Sequence, residues 1–332
     1  MKKVLIVLLI IVGLTVGFGY NFYNDNITAV DEGKTVTINI EEGSSSDDIG
    51  AILLENNLIK NLTVYKIYLR QSNLGSQLKA GDFEISDDLS LPEIVELITE
   101  GENVEKTMNF TVPEGLNLKE VAKLISSKFE ITEKEFLNLT EAVGIYRESY
   151  QFLKDDEIVT LEGFLYPNTY NVYIDSTADD IITTMLNGFD KIYQEHIKGN
   201  TGDKSVYQLV KMASVVEGEA QVDEERPIIA GVFYNRMEIG MMLQSCATVQ
   251  YALGEKKEKL YEEDLKVESL YNTYQHTGLP VGPINSPGLT SIKAALNPAQ
   301  TDYIYFLAKG DGSHYFTDDY NDFLDAKAKY IN

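Results

Sequence analysis

Apolar and polar residues alternate in two separate parts of this chain, and in both parts the alternation gives way to helical spacing. Residues 35–59 begin with an alternating run, continue with a Glu-Gly pair and then place apolar residues three and four positions apart. Residues 107–131 repeat the same order. Each copy therefore predicts a strand, a turn and a helix, and the repetition predicts one supersecondary unit that is used twice.

The turn in each copy contains a glutamate, Glu42 or Glu114, followed by a glycine. Glycine adopts backbone conformations that other residues avoid, so we interpret both glutamates as turn residues and not as catalytic groups. Between the two copies, residues 78–101 predict a further short strand and a helix. We therefore expect residues 35–106 to form a small α/β module that serves as a scaffold or a binding unit.

A longer helical pattern runs from Ser205 to Glu219. Ser205 and Gln208 have the spacing of a capping box, which predicts where the helix begins. At about 100° per residue, Glu217 falls within the apolar face of this helix and Glu219 falls outside it. The apolar positions are Val206, Leu209, Val210, Ala213 and Val216.

Two interpretations of this glutamate pair remain open from the pattern. A carboxyl group pressed against apolar neighbours has a raised pKa, and a second carboxylate nearby raises it further, which suits a general acid. Alternatively, Gly218 ends the helix and both carboxylates point into water, as charges at helix ends commonly do.

The rest of the C-terminal half combines helices, a long loop and a strand pair. Residues 225–240 predict a helix, residues 271–288 are dense in turn-forming residues, and residues 290–299 predict a short helix. Two strand-like runs surround a glycine-rich turn within residues 302–319. The pattern predicts a mixed α+β domain, and its long loop is of the kind that often carries function.

The N-terminus has the pattern of a membrane anchor. Lys2 and Lys3 precede an uncharged run over residues 4–23, and a helix of about 20 residues spans a bilayer core of about 30 Å. The two lysines favour a cytoplasmic N-terminus. We therefore predict a cytoplasmic stub and transmembrane helix over residues 1–24, a linker over residues 25–34, and a single-pass protein of the cell membrane whose other domains lie outside the cytoplasm. A cleaved signal peptide is the alternative.

Composition and charge narrow the classes of function. The chain has 332 residues, a formal net charge of −24 and one cysteine, Cys246. A strongly negative charge repels phosphate backbones, so we predict no nucleic-acid partner. A single cysteine excludes an internal disulfide and a multi-cysteine metal cage. With three histidines and no HExxH spacing, we predict no metal site and no cofactor.

Eight segments follow one another in the C-terminal part of the chain: LEGFLYPNTY, MASVVEGEA, GVFYNRMEIGMMLQ, ATVQYALG, YNTYQHTGLPVGPINSPG, AALNPA, YIYF and GSHYF. Their order resembles the YceG-like family of endolytic murein transglycosylases, and the resemblance covers nearly the whole chain. It implies a LysM-like module over residues 35–106 and a catalytic domain over residues 107–332. It also implies a membrane-anchored lytic transglycosylase that cuts nascent glycan strands of peptidoglycan, limits their length and works with peptidoglycan synthases.

The resemblance implies that Glu219 is the catalytic acid and base, whereas helical phase favours Glu217, which we keep as the alternative. A glycosidase ordinarily needs two carboxylates. A lytic transglycosylase needs one, because the C6 hydroxyl of the muramic residue attacks in place of water and leaves a 1,6-anhydro end. Cys246 and Asn168 stand where the family commonly has acids, which weakens a hydrolase interpretation. The same losses favour a second hypothesis, a weakly active or non-catalytic glycan-binding adaptor that positions peptidoglycan synthases.

Polar and aromatic residues in the matching segments are candidates for contacts with the glycan. Arg236 suits a lactyl carboxylate because its guanidinium is a planar fork. The chain has no tryptophan, so tyrosines are the candidates for stacking on sugar rings. Helix capping or core packing is the structural alternative for each candidate, and we expect Cys246 to be a packed thiol and not a nucleophile. The candidates are Glu162, Asn235, Arg236, Gln244, Tyr251, Tyr274 and His314.

Overall fold

The computed structural model describes residue 15 and residues 17–30, 33–100 and 107–330. Most of the run expected to form the anchor lies outside these residues. Residues 17–27 are helical, and within the described ranges no helix combines the length and apolar character that crossing a membrane requires.

The chain divides into two compact units, Met1–Lys106 and Thr107–Asn332. In the first unit, strand β1 (Thr35–Ile40) pairs antiparallel with strand β2 (Gly81–Ser86), with Thr35 opposite Ser86 and Ile40 opposite Gly81. Besides the helical residues 17–27, three helices of the described part of this unit pack on a buried apolar cluster. The elements are β1 (Thr35–Ile40), α1 (Ser46–Glu55), α2 (Leu62–Ser72), β2 (Gly81–Ser86) and α3 (Leu91–Glu100). The unit is an α/β module as expected, and its LysM-like character stays a prediction.

The second unit is mostly helical and carries two small antiparallel sheets. Strand β3 (Thr107–Thr111) pairs with β4 (Thr169–Tyr173), and β5 (Tyr305–Ala308) forms a hairpin with β6 (His314–Thr317). The helices are α4 (Leu118–Ser126), α5 (Glu133–Glu141), α6 (Ala178–Ile192), α7 (Val206–Glu219), α8 (Arg226–Glu238), α9 (Cys246–Leu253), α10 (Leu289–Leu296) and α11 (Tyr320–Tyr330). A π-helical turn follows α6 at Tyr193–Ile197, and single 3₁₀ turns lie at Val143–Ile145, Gln151–Leu153, Asp223–Glu225 and Asp264–Lys266.

Local sequence signals account for where several of these elements begin. Ser45, Asn117 and Ser205 each cap a helix, and a capping box is formed in all three cases. The box predicted at Ser205 and Gln208 is therefore confirmed. Gly43 and Gly115 have φ of 86° and 75°, so both Glu-Gly turns need a residue that tolerates the left-handed region. The mixed α+β class and the repeated strand–turn–helix order are confirmed.

Helix α7 differs from its expected amphipathic form. Every residue from Leu209 to Val216 is buried, because other elements of the second unit, among them α8, α9 and α10, pack against it. A helix that is covered on all sides has no solvent face along this stretch. Its C-terminal end, which carries Glu217 and Glu219, is the part that reaches a cleft.

Candidate active site

A cleft of about 1380 Å³ opens at the C-terminal end of α7. Its walls come from the Glu114 turn, the first turns of α9, the loop over residues 271–288 and the β5–β6 hairpin. Two backbone hydrogen bonds attach the loop to the turn: Gly115 N–H donates to Ser286 O over 2.9 Å, and Ser286 N–H donates to Leu116 O over 2.8 Å. Segments that are far apart in sequence therefore meet around the two glutamates.

Glu219 is the last residue of α7 and lies half-buried on the cleft wall. Its Oε1 accepts a hydrogen bond from Ser245 Oγ at 2.5 Å and another from Ala247 N–H at 3.1 Å. Among the described residues no donor contacts Oε2. One oxygen is thus held by protein donors at the start of α9, and the other is left for a substrate.

Glu217 is also at the cleft, but its carboxylate is engaged within the protein. Oε2 accepts from Gly288 N–H at 3.0 Å and from Ser291 Oγ at 2.8 Å, and Oε1 lies 3.2 Å from Arg226 Nη1. The side chains of Glu217 and Arg226 are only 7% and 9% exposed. Both oxygens of Glu217 are therefore engaged by groups of the protein, so neither is left for a substrate.

Helical phase therefore predicts the burial of Glu217 correctly but does not identify a general acid. The deciding residue is Arg226, which the sequence interpretation missed. It is the first residue of α8, a position where the helix dipole disfavours a cation. Two carboxylates compensate its charge: Asp223, three residues earlier in the chain, and Glu217 at the end of α7.

Glu114 was interpreted as a turn residue, and the structure adds a second role. Its carboxyl group lines the cleft beside Gly288, where a Cβ would lie 2.1 Å from the Glu114 carboxyl carbon. Gly288 has an ordinary φ of −75°, so glycine is needed there for space. Partial burial, together with the nearby charge of Glu217, raises the pKa of Glu114. Glu114 is thus a carboxyl group of the cleft that sequence reasoning did not select.

Glu162 lies beneath the cleft surface and supports Tyr251. It is 2% exposed, accepts from Leu118 N–H at 3.1 Å and accepts from the Tyr251 hydroxyl at 2.9 Å. Burial raises the pKa of Glu162 to about 7. Its oxygens serve the start of α4 and the tyrosine, so Glu162 orients Tyr251 on the cleft wall. Its direct contact with a glycan stays a prediction.

Two of the expected glycan contacts are engaged with the backbone instead. Arg236 is 5% exposed; its Nε donates to Ile304 O at 2.6 Å and its Nη1 donates to Leu243 O at 2.7 Å. Asn235 does not line the cleft, and its Nδ2 donates to the carbonyls of Thr301 at 2.7 Å and Tyr303 at 3.0 Å. Both residues thus hold the segments that form the cleft wall. Arg236 also lines the cleft, and contact of either residue with a glycan stays a prediction.

Gln244, Cys246 and Tyr274 lie together on the wall next to Glu219. Gln244 is exposed with φ of 51°, a strained conformation for a residue other than glycine and one that is frequent at functional sites. The Cys246 Sγ lies 3.4 Å from the Tyr274 hydroxyl. Cys246 is an exposed residue and not packed as expected, although its sulfur lies partly away from water. That partial burial and the charge of Glu219 raise the pKa of the Cys246 thiol, which disfavours the thiolate that a nucleophile needs.

His314 lines the far side of the cleft at the start of β6. Its ring Nδ1 lies 2.7 Å from Glu225 Oε2, and its backbone N–H donates to the same carboxylate. Its side chain is 6% exposed, so this residue ties the β5–β6 hairpin to the turn before α8. In the described ranges no cluster of three or more His, Cys, Asp and Glu side chains has the arrangement of a metal site.

Comparisons with known proteins converge on one family. The YceG-like family matches residues 38–329. A protein of Bacillus subtilis (strain 168) named endolytic murein transglycosylase is 35% identical, over 91% of this chain and 86% of that protein. One of the same name from Streptococcus pneumoniae (strain ATCC BAA-255 / R6) is 31% identical, over 95% of this chain and 62% of that protein. A crystal structure of a yceG-like protein from Listeria monocytogenes aligns with a TM-score of 0.61 and 34% identity, over 89% of this chain and 99% of that chain.

Proposed function

This chain belongs to the YceG-like family, and from that premise we propose that it is an endolytic murein transglycosylase, a lytic enzyme that cuts within the glycan strands of peptidoglycan. The observation that carries the proposal is the position of Glu219 and the hydrogen bonds of its carboxyl group. It is a carboxyl group in a large cleft, with one oxygen held by Ser245 and Ala247 and the other facing the space where a glycan strand fits.

The reaction follows from this geometry in two proton transfers. Protonated Glu219 donates from Oε2 to the glycosidic oxygen, and the bond between that oxygen and C1 of the muramic residue breaks. The C6 hydroxyl of the same residue attacks C1, and the Glu219 carboxylate takes the hydroxyl proton, which restores the acid. The donors on Oε1 stabilise the carboxylate that exists between the two transfers. No water is consumed.

Hydrolysis would require a second carboxylate in the cleft that activates water as the nucleophile in place of the C6 hydroxyl. Glu217 is paired with Arg226, and Glu162 is engaged with Leu118 and Tyr251, so neither is placed as a general base. Glu114 has no hydrogen-bond partner among the described residues, and it is therefore the carboxyl group to test if the enzyme proves to be a hydrolase.

The products distinguish these reactions. The C6 hydroxyl is tethered beside C1, and well-oriented intramolecular groups reach effective molarities of about 10⁵–10⁸ M, far above the concentration of water. We expect digestion of purified glycan strands in heavy-oxygen water to give 1,6-anhydro ends without the label, identified by mass spectrometry. Labelled reducing ends would contradict the transglycosylase reaction and favour hydrolysis, and intact strands would favour the adaptor hypothesis.

We also propose that residues 4–23 anchor the protein in the cell membrane with the domains that follow the anchor outside the cytoplasm, and that residues 35–106 are a LysM-like module. The uncharged run after two lysines supports the anchor. An anchor would hold the cleft near nascent strands and their synthases, so that cutting there limits strand length. We expect the full-length protein to stay in the membrane fraction after alkaline extraction; its recovery in the soluble fraction, shortened at the N-terminus, would favour a cleaved signal peptide.

A further inference from the structure

Asn285 on the loop over residues 271–288 has an unsatisfied acceptor within the cleft. The residue lines the cleft and is 5% exposed. Its Nδ2 donates to the carbonyl of Ser214 in α7 over 2.9 Å, which fixes the orientation of the amide group. No described residue donates to its Oδ1. Buried carbonyl oxygens are normally paired, because an unpaired one forfeits its interaction with water.

The amide group of Asn285 lies beside Gly218, the residue between the two glutamates in the chain, and its other neighbours there are apolar. A Cβ built on Gly218 would lie 2.6 Å from the Ala247 Cβ, 3.5 Å from Asn285 Nδ2 and 3.6 Å from the Ile284 Cδ1. A side chain at position 218 would collide with Ala247, so glycine lets Ala247 and the Asn285 amide group lie close to the end of α7. The amide group, whose Oδ1 is its unpaired acceptor, therefore has two methyl-bearing neighbours at the cleft, Ala247 and Ile284.

Ala247 connects the Asn285 amide group to Glu219. The N–H of Ala247 donates to Glu219 Oε1 at 3.1 Å, while its methyl group faces Gly218. A ligand group seated against Ala247 and Asn285 is thus within a few bonds of the atom that the acid protonates. In a muramic residue the 2-acetamido group is attached to the carbon next to C1, which meets this requirement.

We propose that Asn285 Oδ1 accepts the N–H of the 2-acetamido group of the bound sugar, while the acetyl methyl packs on Ala247 and Ile284. An acetamido group offers one N–H donor and one methyl group, and the site offers their complements; a bare hydroxyl would use only the acceptor. The oxygen is itself covered in this structure, so the proposal requires that a covering side chain moves when the sugar binds. This inference rests on the proposed function, because it takes the ligand to be an N-acetylated glycan.

The test compares two neutral trisaccharides that differ at C2, triacetylchitotriose and cellotriose, binding to the full-length protein in detergent. We expect the wild-type protein to prefer the acetylated sugar by roughly 10-fold, the scale of one hydrogen bond, and Asn285→Ala to lose most of this preference. A merely structural role would weaken both sugars alike. Ser286→Ala is the matched control: its Oγ is also buried without a partner in the described residues, but it does not line the cleft.

Asn285→Ser provides the second variant if Asn285→Ala does not fold, since it keeps a small polar side chain and shortens its reach; we expect the same loss of preference. An unchanged preference in a folded Asn285 variant, an equal loss in Ser286→Ala, or no preference in the wild-type protein would overturn the inference. Digestion of glycan strands by the same preparations tests the proposed function separately. Asn285-dependent preference without cleavage would leave this inference standing and remove the lytic reaction; cleavage without it would do the reverse.

Discussion

Replacing Glu219 with Gln is expected to lower the rate of glycan cleavage by about 10²–10⁴-fold, the usual loss when a general acid is removed. The amide oxygen can still accept from the Ser245 hydroxyl and the Ala247 N–H, so the side chain keeps its position. What it loses is the proton that the glycosidic oxygen needs. The rate is measured as release of 1,6-anhydro ends from purified strands.

Two controls make this result specific to the chemistry. The midpoint of thermal unfolding should stay close to that of the wild-type protein, and binding of strands should be retained, because neither depends on the exchangeable proton of Glu219. Cleavage at the wild-type rate by a folded Glu219→Gln protein would remove Glu219 from the mechanism. The next carboxyl group to examine would then be Glu114, which also lines the cleft.

Replacing Glu217 with Gln should instead act on stability. The change leaves the buried Arg226 guanidinium without its carboxylate partner, and breaking a buried ion pair from one side typically costs about 3–5 kcal/mol. Asp223 still lies 2.8 Å from Arg226 Nε, so we expect a value near the lower end. The free energy of unfolding is measured by denaturant titration, and the rate per folded molecule should remain close to the wild-type rate.

Asp223→Asn is the matched control for this prediction. It removes the other carboxylate that contacts Arg226, but the Asp223 side chain is 66% exposed, and exposed pairs contribute about 0.2–1 kcal/mol. Equal losses of stability in the two variants would show that burial of Glu217 does not set the strength of its pair. A folded Glu217→Gln protein of wild-type stability that no longer cuts strands would return Glu217 to consideration as the acid.

Much of the local structure could be predicted from the order of residues alone. Capping residues such as Ser205 and Asn117 announce helix starts because their side chains satisfy backbone N–H groups within three residues. Apolar residues that alternate with polar ones predict strands, and apolar residues three or four positions apart predict helices, because in each case they lie on the side of the element that is buried. The order of the matching segments also identifies the family. These signals depend on neighbours in sequence, so no tertiary structure is needed to interpret them.

The roles of individual side chains at the cleft needed the fold. Arg236 and Asn235 suit sugar contacts by chemistry, but they are engaged by backbone carbonyls near residue 304 and at Thr301 and Tyr303. Cys246, expected to be packed, is exposed in the cleft. Glu114, interpreted as a turn residue, reaches the cleft because Gly288 leaves room for it. The residue type determines what a side chain can bind, but the tertiary packing determines which partner is within reach.

The glutamate pair shows the same division most directly. By itself the sequence determines that Glu217 and Glu219 stand at the end of a helix with an apolar face and that Glu217 falls within that face. It does not determine their charge environments, because the partners of Glu217 come from α8 and α10 and those of Glu219 from the start of α9. The periodicity of apolar residues predicts that a position is buried. The charge environment of that position depends on which side chains bury it. Only the tertiary structure determines that Arg226 pairs with Glu217 and that Glu219 lines an open cleft.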